Sequence, residues 1–440
     1  MNTCQAIIEM VRWSRVTKQP AGREFCQPRE FRSTLLLDWL IDTQENVVPS
    51  ETTNNDQALI DFTCALVRLE SILGNERAVA ECVCQEMGRL RFDHVEIDEI
   101  GNAVGIIRGL HDGPRVLLDA HMDTVDVVPV NAWAHQPFAA EVDNGCIWGR
   151  GSSDMKGALA AMIHAGGGLD RANLAGTVIV SASVGEESIE GAALRTVMDR
   201  HTPDFVVIGE ASNLNLVRAG RGRAEFTIET VGEPAHASDP GAGINAVHRM
   251  AAVIGEMEKI PMPEHQFIGR GTMCLTDIIS IPYPAHSVVP SGCRTTYERR
   301  LLPGEEHDAI KAELVEACAR AKAPDTMVEL VMTDYRTYTG THWVEPKWFP
   351  SWELDEDHLL VQEGLRGLRS AGLEPGLESY QFCTNGAYSA GTADVPTIGF
   401  GPSTEQHAHV VDEFIEIDQL SRARRGYESI VTTLLRGTAP

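Results

Sequence analysis

Between positions 94 and 211 short apolar runs alternate with stretches of helical periodicity, and this alternation restricts the fold more than any other feature of the chain. The strand-like runs are HVEID, AVGIIRG, RVLLDAH, TVIVSASV and DFVVIGEA; among them lie MKGALAAMIHAGGGL and GAALRTVMD, with apolar residues at helical spacing. Strands that alternate with helices and are apolar at consecutive positions predict an α/β layer, a mainly parallel sheet covered by helices on both faces. Ligands of such sheets gather beyond the carboxyl ends of the strands. Titratable residues stand at those ends here: His121 and Asp123 in LLDAHMDTV, Glu186 and Glu187 after TVIVSASV, Glu210 after VVIG.

Near Gly220 the texture changes. An alternating strand, GRAEFTIETV, is followed by a helix, two strands, a helix around 308–321 and a final strand, MVELVMTDY. That order predicts a small antiparallel sheet with two helices on one face, a ferredoxin-like α+β domain inserted at 221–335. The chain then returns through LLVQEGLRGLRSAG and VPTIGFGPS to a last helix after Asp418, so 56–220 and 336–440 form one domain in two parts. Two compact units suit 440 residues, because single cores stop growing at roughly 250–300. Residues 1–55, with scattered arginines and one short helix expected around 34–43, read as an N-terminal extension.

A net charge of −26 disfavours nucleic acid and anionic membrane as partners. No apolar run reaches the ~18 residues of a membrane span, and the first residues lack a secretory pattern, so a cytoplasmic location is expected. The ten cysteines include no CxxC pair and are assigned neither a disulfide nor a zinc site.

Three further stretches add to the strand-end residues. Asp154 lies between a glycine-rich turn and a helix in GRGSSDMKG, where it is also a plain helix cap. Glu186 and Glu187 differ from Glu305 and Glu306, whose setting in PGEEHD is an exposed helix start. His409 follows in EQHAHVVDEF, and His407 beside it is read as a neighbour; His135, His164 and His201 are read as structural. Carboxylates with imidazoles suit zinc or manganese, and a two-metal site needs one bridging group with further ligands on each side. His121, Asp154, Glu187, Glu210 and His409 make up such a set, with Glu186 left over as a base.

The ordered stretches LLDAHMDTVDVVP, IWGRGSSDMKGALAAM, VSASVGEES, VIGEAS, GEPAHASDPGAGINAV and GPSTEQHAHVVDEFIEID, spread over 57–440, resemble the co-catalytic di-zinc amidohydrolases. That family includes aminoacylase, acetylornithine deacetylase, succinyl-diaminopimelate desuccinylase and glutamate-releasing carboxypeptidases, and the chain looks closest to a subgroup labelled selenium-metabolism-linked hydrolases. The resemblance implies two divalent metal ions, Zn2+ first with Mn2+ or Co2+ as alternatives. His121 and His409 would each bind one, Asp154 would bridge both, and Glu187 and Glu210 would each join one. Asp123 would accept the far imidazole N–H of His121. Glu186 would be the general base for a metal-bridging water or hydroxide. His236 would reach across a homodimer, formed through the inserted lid, to the oxyanion.

An Arg of the lid strand would grip a substrate carboxylate. Arg300 is the candidate and Arg299 the alternative. Asn385 in CTNGAYSAG replaces an Asp-containing run of relatives and is a candidate substrate contact. The expected function is hydrolysis of the amide C–N bond of an N-acyl amino acid or dipeptide-like small molecule. The rivals are an aminohydrolase acting on an aromatic amine or a ureido compound, and a non-catalytic binding protein that keeps the fold.

Overall fold

The structure, a computed structural model, describes residues 54–436. The expected extension, with its helix near 34–43, lies outside the described residues as far as position 53. Two helices come first, α1 (Asn54–Arg68) and α2 (Arg77–Arg89), followed by strands β1 (His94–Ile97), β2 (Ala103–Arg108) and β3 (His111–His121). Helix α3 (Gly157–Gly168), β4 (Ala175–Ser183), α4 (Ala192–His201), β5 (Phe205–Ile208) and β6 (Leu216–Gly220) follow. Then come β7 (Gly222–Val231), α5 (Ala246–Met257), β8 (Thr272–Ile281), β9 (Gly292–Leu301), α6 (His307–Arg320) and β10 (Met327–Leu330). The chain closes with β11 (Trp352–Glu353), α7 (Leu359–Ser370), β12 (Leu377–Tyr380), β13 (Thr397–Gly399) and α8 (Ile417–Leu434).

The larger sheet runs β1-β2-β4-β3-β5-β13-β6-β11, with β12 also paired to β6. Its centre, β4-β3-β5-β13, is parallel. Both flanks turn antiparallel, at β2 against β4 and at β6 against β13. The apolar run of β3 has a direct physical reason. Val116 and Leu118 pack into the core shared with α3 and α8, while Leu117 between them joins a second core with Ile179, Val206 and Leu194 of α4. Side chains alternate across a strand, so a sheet covered on both faces demands an apolar residue at every position.

The smaller sheet has the order β8-β9-β7-β10, antiparallel throughout, with its own core of Phe226, Ile228, Met250, Val253, Tyr297 and Leu314 under α5 and α6. Arg221 alone separates β6 of the large sheet from β7 of the small one. The return crossing runs beside it: Trp348–Phe349 pairs with β7, and β11, three residues on, pairs with β6. Among the described residues no helix is long and apolar enough to cross a membrane.

Candidate metal centre and cleft

Strand β3 delivers His121 to its carboxyl end, where the residue is 1% exposed. Its Nε2 lies 3.0 Å from Asp154 Oδ1 and 3.6 Å from Glu210 Oε1, while Nδ1 lies 2.9 Å from the carbonyl oxygen of Asp123. A carbonyl only accepts, so Nδ1 carries a proton, and Nε2 is the nitrogen turned to the carboxylates. This corrects the expected role of the Asp123 carboxylate. The main-chain oxygen takes the imidazole N–H, and Oδ1 stays 3.7 Å from the ring. The carboxylate instead accepts the backbone N–H groups of Glu186 and Glu187 at 3.1 and 3.0 Å, which pins the turn after β4.

That turn begins at Gly185, whose φ of 68° and whose hydrogen, 2.6 Å from Tyr335 if replaced by Cβ, leave room for glycine alone. Glu187 then reaches His409 Nε2 at 3.1 Å. Glu186 is buried, and its Oε1 has no hydrogen-bond partner. Asp154 spans the centre, with Oδ1 against His121 and Oδ2 3.1 Å from His409 Nε2. His409 is half-exposed and sits in the left-handed region at φ 58°, a conformation that bulky residues adopt at a cost. Donor atoms of His121, Asp154 and Glu187 fall within 4.8 Å of one another, as do those of His121, Glu186 and Glu210.

The electrostatics are those of a crowded acidic pocket. Burial lifts the Glu186 carboxyl well above the usual range, with Glu210, Glu190 and Glu187 adding to the lift against the opposing charge of His121. Burial and the neighbouring Asp154 push Glu210 up to about 8. Burial opposes ionisation of Asp154 too, yet the hydrogen bonds of His121 and His409 outweigh it and hold this carboxyl below its ordinary value. The same bonds from Asp154 and Glu187 raise His409 to about 10. Buried carboxylates this close repel one another. Oxygen and imidazole donors in this arrangement, with one carboxylate offering an oxygen to each histidine, fit two divalent cations.

The cleft over the centre encloses about 280 Å³ and is lined by Glu186, Glu190, Arg223, Arg300, Phe382 and Glu405 among others. Arg300 stands opposite Arg223 across β9 and β7 and pairs with Glu298 at 2.8 Å. Arg299 points the other way, buried between Glu305 at 2.6 Å and Glu313 at 2.7 Å. Asn385 is not brought to the cleft, contrary to expectation. Its amide nitrogen donates to Asp119 and Ser183, its oxygen accepts the Gly191 N–H at 2.6 Å, and the residue is buried away from the cleft lining. His236 is exposed beyond β7 and outside this chain's cleft lining, and its Nδ1 accepts from the Ser238 N–H at 3.1 Å, leaving Nε2 to donate.

His407 contacts Ser403 and the Phe414 ring. Two participants escaped the sequence reading. Glu190 grips Arg223 with both oxygens, at 2.6 Å each, and Glu413 accepts the N–H groups of Ser153 and Asp154 at 2.9 and 3.0 Å. Each lies three or four residues beyond a candidate ligand, and that proximity was the available signal.

Comparison with known proteins gives one consistent picture. The sequence matches the profile of peptidase family M20/M25/M40 over residues 117–433. It is 32% identical over 360 residues to the YgeY protein of Escherichia coli strain K12, covering 80% of this chain and 88% of that one. It is 26% identical over 326 residues to acetylornithine deacetylase of Buchnera aphidicola, covering 72% and 80%. A solved structure of Bacillus subtilis YXEP protein, described as a dinuclear metal binding peptidase from the M20 family, superposes with a TM-score of 0.65 at 15% identity, over 87% of this chain and 98% of that one.

Proposed function

The chain belongs to peptidase family M20/M25/M40, and from that premise we propose that it hydrolyses the amide C–N bond of an N-acyl amino acid or a dipeptide-like small molecule. It is a metal-dependent hydrolase. The observation that carries the finer reading is Asp154, one oxygen on each of two histidines, beside a buried Glu186 with an unpartnered oxygen. His121, Asp154 and Glu210 would hold one cation, and His409, Asp154 and Glu187 the other. When bound, such cations, Zn2+ first with Mn2+ or Co2+ as alternatives, polarise the scissile carbonyl and acidify water.

The chain's own groups do the rest. Glu186 takes the proton of the attacking water and returns it to the departing amine, a role suited to a carboxyl whose affinity for protons burial has raised. Arg300 offers its guanidinium to the substrate carboxylate, since its single partner Glu298 is shared and its side chain is 27% exposed. His236, with Nε2 free to donate, stabilises the oxyanion in the cleft of a second copy paired through the smaller sheet. A volume near 280 Å³ lies just below the range of roughly 300–1,000 Å³ usual for small-molecule sites and suits a small substrate.

Glu186→Gln tests the reading. The variant should keep its bound metal, measured by mass spectrometry, and lose turnover by about 10²–10⁴-fold on an N-acyl amino acid that the wild type cleaves. Near-normal turnover would remove Glu186 from the mechanism. Release of ammonia instead of a carboxylate and an amine would identify a deaminase.

A further inference from the structure

We propose that Glu413 is a positioning residue that holds Asp154 and the His409 loop together as one unit, and so governs the His409 half of the metal centre selectively. The inference rests on the two-cation reading above. Glu413 is fully buried and both of its carboxylate oxygens are engaged. Oε1 accepts the N–H groups of Ser153 and Asp154 at 2.9 and 3.0 Å, and Oε2 accepts from Arg150 at 2.6 Å. Its carbonyl accepts the Gly149 N–H at 2.8 Å. Arg150 is itself buried, its guanidinium lying over the Trp133 ring at 5.1 Å and reaching the Asp126 carbonyl at 3.3 Å.

One further bond fastens the same two segments: Ser153 and Ser403 share a hydrogen bond of 2.7 Å. Asp412 ties the loop to a third segment, accepting the N–H groups of Ala134 and His135 at 2.8 and 3.0 Å. The 403–413 loop, whose Ser403, His409 and Asp412 all have positive φ, is thus sewn at both ends to the region that carries Asp154. The other half of the centre has no such dependence. His121 and Glu210 extend from β3 and β5, neighbours in parallel register. Loosening Glu413 therefore displaces the His409 loop against Asp154, while His121 and Glu210 keep their geometry and Asp154 Oδ1 stays held by His121 Nε2 at 3.0 Å.

The carboxylate is essential because it only accepts. An amide at 413 must turn its NH2 toward either the two backbone N–H groups or Arg150, so one donor always faces another. The test is titration of the metal-stripped full chain with Co2+, read by visible absorption and by metal content. The wild type should take up two equivalents. E413Q should bind the first as the wild type does and the second about 10–100-fold more weakly, the usual effect of removing an outer partner of a metal ligand.

Two equivalents bound with wild-type affinities, or equal weakening of both, would overturn the clamp. If E413Q does not fold, E413D carries the test under the same criteria, since it keeps the charge against Arg150 but is one methylene short of the N–H pair. A wild type that binds no Co2+ overturns the two-cation reading itself and the clamp with it, a result distinct from two equivalents bound alike by both proteins.

Discussion

Asp123 has two acceptors with separate duties, the carbonyl for the His121 ring and the carboxylate for the Glu186–Glu187 turn. Asp123→Asn keeps the first and spoils the second, because its NH2 must face one of the two N–H groups. The expected outcome is a fall in turnover of about 10–100-fold with the His121 metal retained. His121→Ala should lose that metal outright. Equal loss of metal from the two variants, measured on the same preparations, would refute the division. At this scale part of the site was legible: His121, Glu187 and Glu210 are titratable residues that follow apolar strand runs, whereas Asp154 follows a glycine-rich turn and His409 stands in a loop. The exceptions are instructive. Arg299 and Arg300 are adjacent, so their faces are decided by register with β7, which no local pattern reveals. Asn385 has a polar side chain consumed by Asp119, a buried carboxyl that only the assembled sheet brings near it.

Among the elements, the parallel centre of the large sheet and the strand–helix order of the small one follow from periodicity. The antiparallel flanks do not, since β2 and β6 read like any other apolar strand and only pairing reverses them. The contact between elements that sequence concealed most fully is Arg223 of β7 with Glu190, at the end of the turn that carries Glu186 and Glu187. Arg223 also lies 3.1 Å from Glu225 and 5.4 Å from the Phe349 ring, and its side chain is 12% exposed. A charge so enclosed is costly to leave alone. Arg223→Met should destabilise the protein by ~3–5 kcal/mol, and adding Glu190→Met should restore part of the loss, because the pair then leaves together. Urea unfolding midpoints of the four proteins in this cycle check it. Strict additivity would mean that β7 and the turn are held by other contacts.

For the whole molecule, the two sheets divide the labour: the larger presents His121, Glu187 and Glu210 of the candidate metal site beyond its strand ends, and the smaller brings Arg300 to the cleft and His236 away from it. His236, whose Nδ1 is bonded to Ser238 of its own loop, lies outside the lining of its own chain's cleft and has no role assigned there. The proposed second copy gives it one, and a mixing experiment tests that assignment without any structure of the pair. Glu186→Gln lacks the base, and His236→Ala lacks the oxyanion donor, so each variant alone should be nearly inactive. In a mixed dimer the site that keeps Glu186 receives His236 from the other variant and is complete, while the remaining site carries both defects. Random exchange makes half of the dimers mixed, each with one working site of two, so activity should recover to about a quarter of the wild type. If His236 served its own chain, every site in the mixture would lack one group or the other, and mixing would restore nothing.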